Sequence, residues 1–371
     1  MKVADTPSHA AEVADAGKGR TAANPLQLLR KMSVLPSYAG VAMQRVKMEP
    51  PEALKAVKLQ GMTIVKKFGE GSHAYLIVYD GQQYVLKLSS EDAEAEVNTG
   101  LLAKMLGVPA AAGALLGYTE EQVDKLAQLV VGDREIVEGM QKKMRKQMNE
   151  GGGHAIVMEY VVGKSLSSHF ELGEDKEVLQ EGDGQIFLQK LQEKGMEAMF
   201  FTNLGQIAAF DIITANKDRF NIQDPEHSLY QGGLPNGNTG NILLGEALNP
   251  VAIDMDINIG FGSMEGKENV RQVQRGFSGL LNNMKAGNYE SIIAGVLLAL
   301  HEGAHEEEEP FTGALATHPQ AHEWITAGIN QVLDNVKQLT AGQLESVYET
   351  WQDKSEGYKE VLQEVFTMLR E

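Results

Sequence analysis

The sequence predicts an α+β protein of two lobes, the first rich in strands and the second mainly helical. Three observations lead there. Short runs of β-branched and aromatic residues crowd between Met62 and Leu88, helical patterns dominate beyond Val161, and one loop-rich stretch, Asn216–Phe261, interrupts them. The 371 residues are enough to bury a core in each lobe. The expected divisions are a flexible leader over 1–55, a first lobe over 56–162 and a second over 163–371.

Each element has its own justification. The leader is rich in Ala, Ser, Gly, Pro and Lys and offers apolar residues only in small clusters such as Leu26, Leu28 and Leu29, with room for one short helix near Pro25–Met32. From Met62 the segments MTIVKKF, AYLIVYD and QQYVLKL read as strands, and Asp80-Gly81 joins the last two in the strongest short hairpin signal. A helix over Ala93–Leu106 is stopped by Gly107-Val108-Pro109. In Met140–Met148, helical spacing puts Met140, Met144 and Met148 on one face with Lys142, Lys143, Arg145 and Lys146 around it. Docking by the methionines is the plain reading, and a contact surface for an acidic partner is the other. His154–Val161 reads as a further strand, and Ile292–Leu300 is too short to span a bilayer and reads as a buried helix. The acidic stretches Glu171–Gly184 and His301–Pro310 read as solvated insertions. His301 and His305 have metal-ligand spacing, but the following run of glutamates makes an acidic helix end the simpler account.

Composition excludes several function classes. Without cysteine there are no disulfides, thiolate metal sites or cysteine nucleophile. Acidic residues outnumber basic ones 51 to 33, and a formal charge of −18 repels nucleic acid and anionic membrane surfaces. No apolar run spans a bilayer and the first residues lack the apolar centre of a cleaved signal peptide, so no integral membrane association is expected. A cytoplasmic protein, or one carried unfolded across membranes into a host cytosol, fits these features.

The chemistry lies in scattered pieces. Phe68-Gly-Glu-Gly-Ser-His73 lies between two strands, and Gly69, Gly71 and Ser72 suit backbone approach to phosphate oxygens. Lys87 lies mid-strand among apolar neighbours, where a lysine normally snorkels to water or marks an edge; aimed inward at phosphates it needs a carboxylate partner. Glu91, Glu94 and Glu96 follow on the next helix. Asp218, in DIITANKDRFN, is placed to orient a hydroxyl and accept its proton, while Asn241 and Asp254 offer hard oxygen ligands suited to Mg²⁺ or Mn²⁺. Asp256 is a further ligand candidate, and Arg219 reads as neutralising local negative charge. Each aspartate taken singly reads as a turn or cap residue; their order makes the chemical reading.

The series Asn216-Lys-Asp218-Arg219, Gly-Asn-Thr-Gly-Asn241-Ile-Leu-Leu and Ile253-Asp254-Met-Asp256 resembles the atypical kinases related to phosphatidylinositol 3- and 4-kinases. It is most similar to the actin-fragmin kinase catalytic domain, over roughly residues 60–260 and best at the catalytic loops. The resemblance implies a two-lobed protein-kinase-like fold and ATP-dependent transfer to a protein hydroxyl, with Lys87 and Asp218 in catalysis and Asn241, Asp254 and Asp256 at the metal. It also implies that Glu96, with Glu94 behind it, partners Lys87. The strand ending in Met158-Glu159-Tyr-Val161 would then be the hinge, Met158 the gatekeeper, and the backbone of Glu159 and Val161 the reader of adenine. A cytoskeletal or host-protein substrate follows from the resemblance alone. Two features depart from the usual kinase pattern. Residues Asn221–Asn236 intervene before the asparagine motif, an insertion that either reshapes the acceptor site or makes Asn221 compete with Asn241 for the metal; and Met255-Asp256 stands where Phe-Gly usually follows the metal aspartate. A lipid or small-molecule kinase, and a pseudokinase used as a binding module, are the competing readings. The loose leader, the absence of cysteine and the eukaryote-like core together also suit a bacterial effector.

Overall fold

Residues 48–69, 73–88, 93–149, 153–166, 183–216, 219–220, 222, 239–255, 278–300, 314–350 and 358–371 are described by the structure, a computed structural model. They belong to one unit, Val46–Glu371. The leader expected over 1–55 therefore shares its last residues with that unit. Helix α1 (Glu52–Lys55) buries Leu54 against the first-lobe core, and Met48 packs on core residues of both lobes.

Three strands follow as the sequence indicates: β1 (Met62–Lys67), β2 (Ala74–Tyr79) and β3 (Gln82–Lys87), all antiparallel. Tyr79 pairs with Gln82 across the two-residue turn, where Asp80 (φ 49°) and Gly81 (φ 73°) both adopt the positive φ of a type I′ turn. Helix α2 (Ala93–Met105) ends one residue short of Leu106, with Gly107 left-handed at φ 72°.

Next come β4 (Gly113–Gly117), α3 (Glu120–Asp124), α4 (Leu126–Leu129), β5 (Val130–Val131), α5 (Arg134–Asn149) and β6 (His154–Glu159). A six-stranded sheet results in the order β4-β6-β3-β2-β1-β5, with β5 alone parallel to its neighbour. Strand β6 stops at Glu159, so Val161 lies beyond it. Helix α5 carries the basic run. Its Met140 and Met144 are fully buried against sheet residues such as Ile64, Tyr75 and Ile77, so the methionines dock it. Buried Gln147 accepts from the Tyr118 hydroxyl at 2.9 Å.

The second lobe comprises β7 (Lys164–Ser165), α6 (Asp183–Lys194), α7 (Glu197–Ile213), β8 (Ile242–Leu244), β9 (Pro250–Ala252), α8 (Glu290–Ala299), α9 (Ala321–Gln338), α10 (Ala341–Thr350) and α11 (Tyr358–Arg370). Strands β7, β8 and β9 form a small antiparallel sheet. Helix α7 is apolar nearly all round, with Phe200, Phe201 and Phe210 buried, and is the centre of this lobe. Helix α9 crosses it where both have glycine. A Cβ on Gly205 would lie 2.2 Å from the Ile325 carbonyl oxygen, and one on Gly328 would lie 2.0 Å from that of Thr202. Ile292, Ile293 and Val296 are buried, as expected of a core helix.

The lobes meet along the segment after α2. Asn335 of α9 donates to the Leu106 carbonyl (2.8 Å), the Ala252 amide donates to Pro109 O (2.8 Å) and the Ala111 amide to Ala252 O (3.0 Å). These bonds fix α2 relative to the strand that runs into Asp254.

Candidate active site

Lys87 is the last residue of β3, pairing with Ala74 on one side and Ile156 on the other, which points its side chain to the face covered by α2. Its Nζ lies 2.9 and 2.8 Å from the two carboxylate oxygens of Glu96 and 2.5 Å from Oδ1 of Asp254. The three ammonium protons thus have three acceptors from two lobes. Glu96 is 2% exposed and Asp254 39%. Burial by itself lowers the Lys87 pKa, but the charges of Glu96 and Asp254 outweigh it and push it up to about 12.

Asp254 has φ 53°, a left-handed conformation that costs a non-glycine residue roughly 1–3 kcal/mol and tends to be kept at functional sites. Asn241 ends a short 3₁₀ turn (Thr239–Asn241) just before β8, and its carbonyl accepts from the Ile253 amide at 3.0 Å. One hydrogen bond therefore ties the Asn241 backbone to the residue before Asp254.

On the same sheet, Met158 faces Val85 across the β3–β6 pairing and packs with Val97 and Leu101 of α2; Val85, Val161 and Ile253 border the same cluster, half-buried. The Glu159 amide donates to Ala112 O (3.0 Å) and is used by the sheet. Its carboxylate accepts from the Ala112 amide (3.0 Å) and from Lys104 of α2 (2.6 Å). Of the groups expected to read adenine, the Glu159 carbonyl and the Val161 backbone remain. Gly69 is exposed and left-handed at φ 60°, and the Phe68 ring lies 6.5 Å from that of Tyr160 beyond β6. His73 immediately precedes β2; burial first, then the charges of Lys143, Lys67 and Lys146, hold its imidazole below the ordinary range.

Lys87, Glu96 and Asp254 are bonded to one another, Asn241 is tied by its backbone carbonyl to Ile253, and Met158 and Val161 share an apolar cluster with Ile253, the residue before Asp254. Gly71, Ser72, Asp218, Asn221 and Asp256 lie outside the described residues, as do Glu91, His301 and His305. Among the described residues no group of three or more His, Cys, Asp or Glu side chains is arranged to hold a metal ion. Asp254 with Asn241 is a sparse set of the kind Mg²⁺ accepts when phosphate oxygens and water complete its shell.

Sequence reasoning missed two interactions. Asp211 of α7 and Arg219 form a fully buried ion pair, and the same guanidinium bonds the chain at Asp254. A lone aspartate in the apolar run IAAFDII was the available signal, since it must have a partner. Lys104, eight residues after Glu96 on α2 and about 80° round the helix from it, reaches the Glu159 carboxylate, a contact with no signal in the sequence.

The profile of the actin-fragmin kinase catalytic domain matches residues 47–249, more than half of the chain. The chain belongs to the actin-fragmin kinase catalytic family. As a member it is an atypical protein kinase, a phosphotransferase by family. No curated protein sequence matches the chain. The crystal structure of a Helicobacter pylori proinflammatory kinase, CtkA, is similar with a TM-score of 0.38 and 11% identity, over 85% of this chain and 94% of that one. No helix among the described residues is long and apolar enough to cross a membrane.

Proposed function

We propose that this family member is an ATP- and divalent-metal-dependent Ser/Thr protein kinase with its reaction centre at the Lys87–Glu96–Asp254 junction. The observation that carries this reading is the single lysine bonded at once by a buried helix glutamate and by an aspartate from the other lobe. An isolated strand lysine has no need of two carboxylates; one that must present a fixed positive charge to phosphates has.

In this reading Lys87 holds the α- and β-phosphate oxygens, and Glu96 keeps its ammonium charged and aimed. The Lys87–Asp254 contact is the one that yields when phosphate arrives, since Glu96 is buried and Asp254 is half-exposed. Met158, Val85 and Ile253 supply the apolar flank for adenine, with the Glu159 carbonyl and the Val161 backbone at its polar edge. Gly69, Gly71 and Ser72 let amides approach the phosphates. Asp254 and Asn241 would hold the metal, with Asp256 as a further ligand. Mg²⁺ or Mn²⁺, when bound, supplies charge stabilisation at the transferring phosphoryl group. Asp218 orients the acceptor hydroxyl and takes its proton; Arg219, the next residue, is bonded to the Asp254 carbonyl.

Asp218→Ala is expected to lower phosphate transfer by at least about 10³-fold while nucleotide affinity changes less than about threefold. Radiolabel transfer to protein acceptors, with inositol lipid and aminoglycoside acceptors in parallel, measures the first and distinguishes the competing substrate classes. Calorimetry measures the second, and wild-type turnover in the variant would overturn the reading. The Ala-, Ser-, Gly- and Pro-rich composition of the first residues and the absence of cysteine further suggest delivery into a host cell, with a cytoskeletal protein as acceptor. Removing residues 1–45 should then block export and leave transfer in vitro intact, and normal export of the shortened chain would refute this.

A further inference from the structure

One buried guanidinium organises the backbone at Asp254. Arg219 is 0% exposed. Its Nη1 donates to Oδ1 of Asp211, itself buried on α7. Its Nη2 lies 2.9 Å from the carbonyl oxygen of Ile253, 2.9 Å from that of Asp254 and 3.0 Å from Sδ of Met255. Successive carbonyls of an extended chain point to opposite sides. Two of them converge on one donor only if the residue between leaves the extended region, and Asp254 does so at φ 53°. A cation bonded to both carbonyls therefore selects the left-handed conformer over the extended one.

We propose that Arg219, held by Asp211, is a positioning residue that locks the Ile253–Asp254 peptide in this conformation and so aims the Asp254 carboxylate. The inference deepens the proposed function and, for its effect on transfer, rests on Asp254 acting as a metal ligand there. The rest of the chain turn is secured separately, by the Ile253 amide on Asn241 O and by β9 on Pro109 and Ala111. What the guanidinium adds is the backbone conformation from which the Asp254 side chain leaves toward Lys87. It is suited to this because its planar fork serves a carboxylate on one nitrogen and carbonyls on the other, which a lysine ammonium cannot span.

The test uses the full chain with two changes. Arg219→Lys keeps the charge opposite Asp211 but loses the fork. Asp211→Leu combined with Arg219→Met removes the pair together, leaves no orphaned buried charge, and keeps the test open if the lysine variant fails to fold. In a variant with a wild-type melting profile, the Mg²⁺ concentration for half-maximal transfer should rise about tenfold or more while KM for the nucleotide changes less than about twofold. Loss of packing alone would not produce that split. Deuterium uptake at the Ile253–Met255 amides should also accelerate about tenfold relative to α7. A folded variant with wild-type Mg²⁺ dependence and wild-type exchange overturns the proposal. If the wild type itself transfers no phosphate, the kinase reading fails separately; exchange, together with Mn²⁺ binding followed by electron paramagnetic resonance in the presence of ADP, still decides whether Arg219 orients Asp254.

Discussion

An ammonium bonded by two carboxylates has its charge fixed by them across the whole physiological range. Lys87 has its pKa raised from 10.5 to about 12. A raised folded value means that its stabilising contribution is complete below about pH 10.5 and is lost as pH climbs through about 12. Substituting Lys87 by Met leaves the Glu96 carboxylate, 2% exposed, without its countercharge, at a cost of about 3–5 kcal/mol. Lys87→Met with Glu96→Met should cost clearly less, because no buried charge is orphaned. Urea titrations of the three proteins at pH 8 measure both effects. Repeating the wild type and the double variant at pH 8 and 11.5 should show the wild type's advantage shrinking at the higher pH; an advantage that grows there would contradict the assignment of Lys87's charge.

At the scale of the elements, the ends and crossings of helices decide where these side chains stand. Helix α7 finishes in a Schellman turn, with the Asn216 amide on Asp211 O (2.7 Å) and the Ala215 amide on Ile212 O (3.3 Å). Ala215 occupies the left-handed position at φ 54°, where glycine is usual. Ala215→Gly should relieve that strain, less the entropy glycine loses on folding, for a net gain of up to about 1 kcal/mol and a rise in Tm of about 1–2 °C. The crossing of α7 and α9 has the opposite sensitivity. Gly328→Ala would place a methyl 2.0 Å from a backbone oxygen that cannot rotate away. The helices must separate, at a cost of about 1–3 kcal/mol or more and a fall in Tm of about 5 °C. Calorimetry decides both, and a neutral Gly328→Ala would mean that the helices are not in backbone contact.

For the molecule as a whole, the unit Val46–Glu371 takes in residues that composition assigns to the leader. Deleting residues 1–45 should leave the melting of Val46–Glu371 within about 2 °C of the intact chain. Extending the deletion to residue 55 removes Leu54, 3% exposed, and Met48, whose amide bonds Ser346 at 3.5 Å, with a loss on the order of 3 kcal/mol. Equal melting of the two truncations would show that residues 48–55 contribute nothing to the core. Between the lobes, the seam of Asn335, Leu106, Pro109, Ala111 and Ala252 holds α2, and with it Glu96, against the second lobe.

Much of the first lobe was legible because its signals are local. β-Branched runs and an Asp-Gly turn specify β1 to β3 from their own residues, and a glycine-proline stop specifies the end of α2. Strand β4 was not legible. Its sequence, GALLG in an alanine-rich context, has no β-branched residue, and only the pairing with β6 makes it a strand. Among the site residues, Lys87, Asn241 and Asp254 could be nominated by type and order, because phosphate and metal chemistry limits which side chains can serve, whereas Glu96 was singled out from Glu91 and Glu94 by the family resemblance alone. Local chemistry therefore determined which residues and elements were available. Only the tertiary structure decided that Glu96 reaches Lys87, that Arg219 is fully buried and bonds the chain at Asp254, and that the Glu159 amide is occupied by the sheet. These are meetings between residues far apart in sequence, and no local preference encodes which of several acceptors a buried donor will meet.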